Sequence, residues 1–371
     1  MIFLDHAATS LLKPPGVERA VLRAMRSMAS PGRGGYAASR AAADTVFRCR
    51  EAAAALFHME DPTRVVFTMN ATHGLNLAIH SLLKPGDRVV ISGFEHNAVT
   101  RPLHAMRAEI RVAGRRLFDA EDTLLDFAKK LPGCDAAICT AVSNVFGYNL
   151  PLEEIADLCR REGVPLIVDA SQAAGVLDLD FPALGAAFMA MPGHKGLFGP
   201  QGTGILLCNA EARPLLHGGS GFDSRSQTMP RDLPERLEAG TANVCGIAGL
   251  LAGIQYVQKL SPSRILRHEQ MLLTQCADML KEADCRLFLG HQSLQCGVLS
   301  LQSARIDCEE LASRLAQKGI CVRSGLHCAP LAHESAGTLQ NGTLRLSFSP
   351  FLDGRSVKKA SLVLRDLLAG S

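Results

Sequence analysis

Met191-Pro192-Gly193-His194-Lys195-Gly196 follows a short apolar run at 186–190, and Leu166-Ile167-Val168-Asp169 forms the β-rich run before it. A lysine in a glycine-bounded turn and a carboxylate closing an earlier strand have a definite chemical use together. The amine can form a Schiff base with an aldehyde, and the carboxylate can pair with a protonated ring nitrogen. That is what pyridoxal 5'-phosphate requires of a protein. A surface lysine in a turn and an aspartate at a strand end account for the same residues equally well, so the surrounding sequence has to decide.

Outward from this pair, β-rich runs alternate with helical patterns. Strands are expected at 64–68, 88–92, 136–142, 166–169, 186–190 and 203–208, and helices at 74–83, 101–108 and 152–162. Such alternation implies crossover units and a largely parallel sheet covered on both faces. Helical patterns at 244–259 and 262–282 read as a bridge. After them come strands at 297–301, 320–323 and 343–347, and helices at 307–318 and from 353 onward, which make a smaller α+β lobe. Two lobes suit a chain of 371 residues, long for a single core. The stretches 218–235 and 329–342 have the Gly, Ser and Pro density of loops, where binding residues tend to sit.

Composition narrows the class. The chain is 47% hydrophobic and 20% charged with a net charge of +3, as in ordinary globular proteins. Lysines and arginines are scattered, which argues against a nucleic-acid or polybasic membrane surface. No apolar run approaches the roughly 20 residues that span a bilayer, and Met1-Ile2-Phe3-Leu4-Asp5-His6 carries no signal-type pattern, so a cytoplasmic location is expected. The twelve cysteines form no Cys-x-x-Cys pair. Most read as small buried hydrophobes, and neither a disulfide framework nor a metal site is expected.

Several strand ends deliver polar groups to one edge of the expected sheet. Asn70-Ala71-Thr72 stands where a helix starts, and its free N–H groups form a cup for a phosphate or are simply capped. His96 follows another strand, where an imidazole either stacks on a flat cofactor or serves the fold. Asn144 follows a third, Asp169 and Gln172 a fourth, and His194 and Lys195 a fifth. In an open α/β sheet these carboxyl ends form the ligand crevice. Gly199-Pro200-Gln201-Gly202-Thr203-Gly204 precedes a strand instead of opening a helix, so it is no dinucleotide or Walker loop. In Arg323-Ser324-Gly325-Leu326-His327-Cys328-Ala329, the neighbouring histidine and arginine favour a thiolate on Cys328. The same residues would also begin a Cys-His hydrolase. Arg345 alternates with apolar side chains in a strand and needs an anion, either a substrate carboxylate or an internal acid.

Together these residues resemble the class V aminotransferase family of fold-type I pyridoxal phosphate enzymes, and within it the cysteine desulfurases and selenocysteine lyases. The similarity runs from Phe3-Leu4-Asp5-His6-Ala7-Ala8 to the C-terminal helix. It implies a large domain, residues 15–258, with a mostly parallel seven-stranded sheet, and a small α+β domain made of 1–14 and 259–371 that carries the cysteine loop. It further implies that Lys195 is the Schiff-base residue, that Ala71, Thr72 and His194 touch the phosphate, and that Asp169 binds the ring nitrogen and Gln172 the ring oxygen. His96 would stack on the ring and Asn144 would lie beside cofactor and substrate. Thr241 would reach the phosphate of a second copy in a homodimer. Arg345, with Arg323 nearby, would hold the substrate carboxylate, and Cys328 would accept sulfur as a persulfide. The implied reaction takes sulfur from L-cysteine, leaves L-alanine, and passes the sulfur to an acceptor protein. Selenocysteine as substrate, or another class V activity such as an aminotransferase or β-lyase on a small amino acid, is the alternative. Three residues depart from the family pattern: Pro192 stands in place of a usual serine, His73 of an acidic residue, and Leu326 of a frequent histidine.

Overall fold

The computed structural model describes residues 1–32, 34–221 and 224–370. Its strands are β1 (Ile2–Phe3), β2 (Val65–Thr68), β3 (Arg88–Ser92), β4 (Glu109–Ala113), β5 (Ala136–Thr140), β6 (Leu166–Asp169), β7 (Phe188–Pro192), β8 (Gly204–Cys208), β9 (Arg286–Phe288), β10 (Val298–Gln302), β11 (Ile320–Cys321), β12 (Arg323–Gly325) and β13 (Thr343–Ser347). Seven of them form one sheet in the order β2-β8-β7-β6-β5-β3-β4. Strand β8 runs antiparallel to both β2 and β7, and the remaining pairs are parallel. The expected mostly parallel seven-stranded sheet is therefore present.

The period-2 pattern of these strands sorts their side chains into two cores. Val89, Ile91, Ile138, Ile167, Phe188, Ala190 and Leu206 pack on one face, beneath helices Ala71–Leu82 and Asn97–Ala105. Val90, Cys139, Val168, Met189, Met191, Ile205 and Leu207 pack on the other, with helices Ala37–Leu56, Leu152–Glu162 and Val244–Leu260. Strands β5 to β8 are buried along their whole length, which is why they read as unbroken apolar runs. Each large aliphatic side chain taken from water contributes roughly 1.5–3 kcal/mol. This double-sided burial holds the strand ends in place.

A third core surrounds the four-stranded sheet β12-β13-β10-β9. It joins Leu299, Leu301, Leu344 and Leu346 to helices Pro262–Leu280 and Gly354–Leu368, and it includes Leu4 from the N-terminus. The strand expected at 320–323 is in fact two. Strand β11 pairs in parallel with β1, whereas β12 pairs antiparallel with β13 and sets Arg323 directly opposite Arg345. Helix Ala71–Leu82 begins three residues before the expected start and Asn97–Ala105 four before. In each case a polar residue, Asn70 or His96, caps the helix ahead of its apolar periodicity. The edge strand β4 was not expected: it is half exposed and interrupted by Arg111. Within 218–235, Phe222 and Asp223 lie outside the described residues; its other described residues form no helix or strand, whereas 329–342 contains helix Pro330–Ala336.

Candidate active site

The sheet order reverses between β5 and β3, and the crevice at such a switch point is where α/β proteins bind ligands. A cavity of about 110 Å³ opens there, lined by Ala71, Thr72, His96, Asn144, Asp169, Gln172, His194 and Lys195 among others. Eight expected site residues thus meet in one place.

Each is fixed by local chemistry. Asn70 caps its helix with Oδ1 on the His73 N–H at 2.9 Å, and its carbonyl takes the Gly74 N–H. The N–H groups of Ala71 and Thr72 remain without acceptors among the described residues. They face the cavity at the positive end of the helix, an arrangement suited to a phosphate. The start of β8 lies so close that a Cβ on Gly204 would stand 2.6 Å from Thr68 Oγ1 and 2.8 Å from the Asn70 carbonyl carbon. His96 caps the next helix, its Nδ1 accepting the Ala98 N–H at 3.0 Å. That bond fixes the ring against the cavity, and burial lowers its pKa. Asp169 is 2% exposed and accepts the Ser171 N–H at 2.9 Å. Gln172 donates one amide N–H to the Ala7 carbonyl at 2.9 Å.

Lys195 sits in a turn held by close backbone packing; a Cβ on Gly175 would lie 2.3 Å from the Gly196 carbonyl oxygen. Burial lowers its pKa to about 8, opposed by Asp169 and assisted by Arg345 and Arg323. His194, pushed to about 4 by burial, meets Thr9 Oγ1 at 3.0 Å. Lys13, absent from the sequence expectations, donates to Ser10 Oγ at 2.6 Å and to the Gly199 carbonyl at 2.8 Å, pinning the far end of this turn.

The small sheet contributes the other half. Cys328 is the exposed cysteine, at φ +57°, and His327 before it has φ +49°. Two non-glycine residues in succession in the left-handed region cost about 1–2 kcal/mol each, so other contacts must hold the loop. They come from the large sheet: the Asn97 N–H reaches the Cys328 carbonyl at 2.8 Å, and Asn144 Nδ2 reaches the His327 carbonyl at 2.8 Å. The His327 ring turns inward, with Nε2 3.2 Å from the Thr343 carbonyl and its plane stacked on His333. Burial and the nearby Arg345 hold it neutral, with a pKa of about 2. With Nε2 turned to Thr343, the ring makes no hydrogen bond to Cys328 among the described residues. Arg345, 1% exposed, donates to Asp5 Oδ1 at 2.6 Å and to the Asn144 carbonyl at 2.9 Å. Its buried Nε has no partner among the described residues. The Arg323 side chain makes no hydrogen bond or ion pair among the described residues, yet lies close enough to act electrostatically on Lys195, His96 and Arg345.

Thr241 is elsewhere. It lines a groove of about 730 Å³ with Phe47, Arg50, Phe67, His73 and Glu238. Buried Arg50 pairs with Glu238 at 2.5 Å and so ties this segment to β2.

Sequence reasoning missed Asp5, Glu95 and Asn97. Glu95 is fully buried, accepts from Ser92 Oγ at 2.5 Å and the Thr140 N–H at 2.6 Å, and is raised to about 8 by burial, with Asp169 adding to the shift. A charged residue directly after a buried strand was the available signal. Asp5 had none, since its partner is 340 positions away. Asn97 acts through its backbone, which no side-chain pattern reveals.

The aminotransferase class-V family model matches residues 2–359, and the chain belongs to that family. Among curated relatives, a protein of Pyrococcus abyssi named "Probable cysteine desulfurase" is 31% identical over 99% of this chain and 94% of its own length. One of Methanothermobacter thermautotrophicus with the same name is 31% identical over 91% of this chain and 89% of its own. Among solved structures, the apo cysteine desulfurase of Thermococcus onnurineus superposes with a TM-score of 0.91 at 30% identity, covering 100% of this chain and 95% of that one. The Escherichia coli cysteine desulfurase CsdA, in an S-sulfonic acid form, gives 0.87 at 26% identity, covering 99% and 94%.

Proposed function

We propose that the protein is a pyridoxal phosphate-dependent cysteine desulfurase. The observation that carries this reading is the exposed Cys328, whose loop is held by the Asn97 N–H and by Asn144, a lining residue of the cavity that contains Lys195 and Asp169. The relatives bearing that name support it.

The cavity residues fit the cofactor. The unsatisfied N–H groups of Ala71 and Thr72 would take its phosphate, with the Thr72 hydroxyl and His194 beside them. Asp169 would hold the ring nitrogen, the second amide N–H of Gln172 the ring oxygen, and the His96 ring the flat face. Pro192 lines the cavity but offers no donor, so the phosphate relies on the helix end. Thr241 would serve a second copy of the chain across the large groove. When bound, pyridoxal phosphate supplies an aldehyde carbon that exchanges amines and a ring that withdraws electrons from the substrate Cα.

The protein's own groups do the rest. An ordinary lysine is almost wholly charged at pH 7, whereas one at about 8 is neutral in about a tenth of molecules. Lys195 can therefore hold or release a proton at Nζ near neutrality. The face on which Arg345 stands opposite Arg323, whose guanidinium has no partner among the described residues, would receive the substrate carboxylate. Cys328 Sγ, as thiolate, bonds to the substrate sulfur while the Cβ–S bond breaks. The bonding pair stays with carbon, which is protonated and leaves as alanine, and the sulfur remains on Cys328 for an acceptor protein. We further take 15–258 and 1–14 with 259–371 as the two domains, with the cavity and the cysteine loop on opposite sides of their boundary.

The test is to load the purified protein with pyridoxal phosphate and, with dithiothreitol present to reduce the persulfide, measure alanine and sulfide from L-cysteine, and alanine and selenide from selenocysteine. Equimolar alanine and sulfide, lost in Cys328→Ala, support the reading. Turnover of selenocysteine alone makes it a selenocysteine lyase, and product formation from cysteine independent of Cys328 overturns the persulfide step.

A further inference from the structure

The thiol loop is gripped from two sides. His327 and Cys328 lie in succession at φ +49° and +57°, a conformation unfavourable for any non-glycine residue, so the loop keeps it only while contacts oppose its relaxation. From the large sheet, the Asn97 N–H and the Asn144 side chain hold the two carbonyls. From the other side the hold is on the His327 ring, which is buried against the fully buried His333. The two ring centroids stand 5.7 Å apart, with planes 27° from parallel. His327 Nε2 faces the Thr343 carbonyl at 3.2 Å. A carbonyl only accepts, so Nε2 carries the hydrogen and Nδ1, buried without a partner among the described residues, keeps its lone pair. His333 is fixed in turn. Its Nδ1 lies 2.7 Å from Thr338 Oγ1, and the Thr338 N–H returns to the His333 carbonyl at 2.8 Å. Burial holds this second ring neutral as well, with a pKa of about 4. Two uncharged, stacked rings thus form the floor beneath the turn that displays Cys328.

We propose that His333 is a positioning residue for the Cys328 thiol, its ring acting through His327 to keep the loop backbone in the left-handed conformation. The inference rests on the reading of Cys328 as the sulfur acceptor and adds what sets the place of that thiol. Without the His333 ring, His327 loses the surface it packs on, and a void opens beneath the strained turn. The backbone at 327–328 then relaxes toward negative φ. That movement turns the Cys328 carbonyl away from the Asn97 N–H and carries Sγ with it. The requirement at 333 is a flat side chain that fills the floor; the Thr338 contact orients the ring and is secondary. His333 does not line the cavity that holds Lys195, and it exchanges no proton or electron pair with the substrate.

Two substitutions take this side chain apart. His333→Phe keeps a flat ring and loses the Thr338 contact, whereas His333→Asn keeps a polar atom for Thr338 and loses the ring. The cofactor-loaded protein is assayed for alanine from L-cysteine with dithiothreitol present, and hydrogen exchange at the Asn97 amide is followed in parallel. In His333→Asn, kcat should fall about tenfold with KM nearly unchanged, and Asn97 exchange should quicken about tenfold, as for the loss of one packed ring pair. His333→Phe should restore both to near wild-type values. Amides of β5 and β6 should keep their protection in both variants, which separates movement of the loop from general destabilisation. Retained cofactor absorbance identifies folded protein, and His333→Leu supplies a second ringless side chain. In a folded ringless variant, an unchanged kcat or an unchanged Asn97 exchange overturns the proposal. So does an equal loss in His333→Phe, because the ring is then not what acts. Cys328→Ala separates the two levels of the argument. Alanine formation retained there removes the sulfur-acceptor reading, and the proposal falls with it. Alanine formation lost there, with wild-type values in the ringless variants, removes only the role of His333.

Discussion

The cavity at the strand ends and the arginine-cysteine face differ in how they are assembled. The cavity collects residues that each follow their own strand by a few positions: Thr72 after β2, His96 after β3, Asn144 after β5, Gln172 after β6 and Lys195 after β7. Once the sheet forms, all of them arrive together. The other face depends on register and on contacts across hundreds of residues: β12 against β13, Asp5 against Arg345, Asn97 against the Cys328 carbonyl. The first region is a property of the sheet, the second of how the small sheet meets it. Changes in the first should therefore abolish chemistry, and changes in the second should separate binding from turnover.

The sharpest break is Lys195→Ala. It should abolish the visible absorbance gained on adding pyridoxal phosphate, and lower kcat by 10²–10⁴-fold or more, the range expected for a lost proton-transfer group. Retained absorbance would remove the cavity from the chemistry. Cys328→Ala should lose sulfide release from cysteine while keeping the cofactor absorbance and a melting temperature close to wild type, because the side chain is exposed. Arg323→Ala should raise KM by about 10–100-fold with a smaller effect on kcat, as expected for loss of a hydrogen bond to a charged group. An equal fall in kcat and kcat/KM would move Arg323 from binding to chemistry.

A smaller effect concerns pH. Burial raises Glu95 from its ordinary value to about 8, so between about 4.5 and 8 the folded state binds more protons than the unfolded one. Stability from this group is full below about 4.5 and is lost as pH rises toward 8. Glu269, raised well above its ordinary value by burial, adds in the same direction. Lys195, lowered to about 8, acts above that: from about 8 to 10.5 the unfolded state binds more protons, and stability recovers. Urea denaturation of the cofactor-free protein at pH 5 and pH 8 should show Glu95→Gln losing part of this slope. An unchanged slope would show that Glu95 is ionised in the fold. The smallest effect is local: Cys328→Gly should be about 1 kcal/mol more stable than Cys328→Ala, since only glycine adopts φ +57° without strain.

Legibility in the sequence followed the same division. The strands β5 to β8 and the residues after them were readable because burial on both faces leaves continuous apolar runs, and a ligand edge follows from their ends. Ala71 and Thr72 were readable as a helix start, although the helix begins before its apolar period does. The split of 320–323 into β11 and β12 was not readable, because only pairing partners distinguish the two pieces. The inward turn of His327 was equally hidden: adjacency to Cys328 in sequence suggested a dyad, whereas its φ and the Thr343 contact send the ring to the core. The same limit applied to Asp5, whose partner Arg345 is 340 positions away.

Asn144 has a consequence of its own. Its side chain is bonded to the loop carrying the thiol and its carbonyl to the Arg345 guanidinium, while the residue itself lines the cofactor cavity. One residue therefore gauges the alignment of three parts at once. If the smaller sheet drifts away from the larger, the thiol, the arginine pair and the cavity wall lose their common reference together, so misalignment silences the protein as a whole instead of releasing sulfur at the wrong moment.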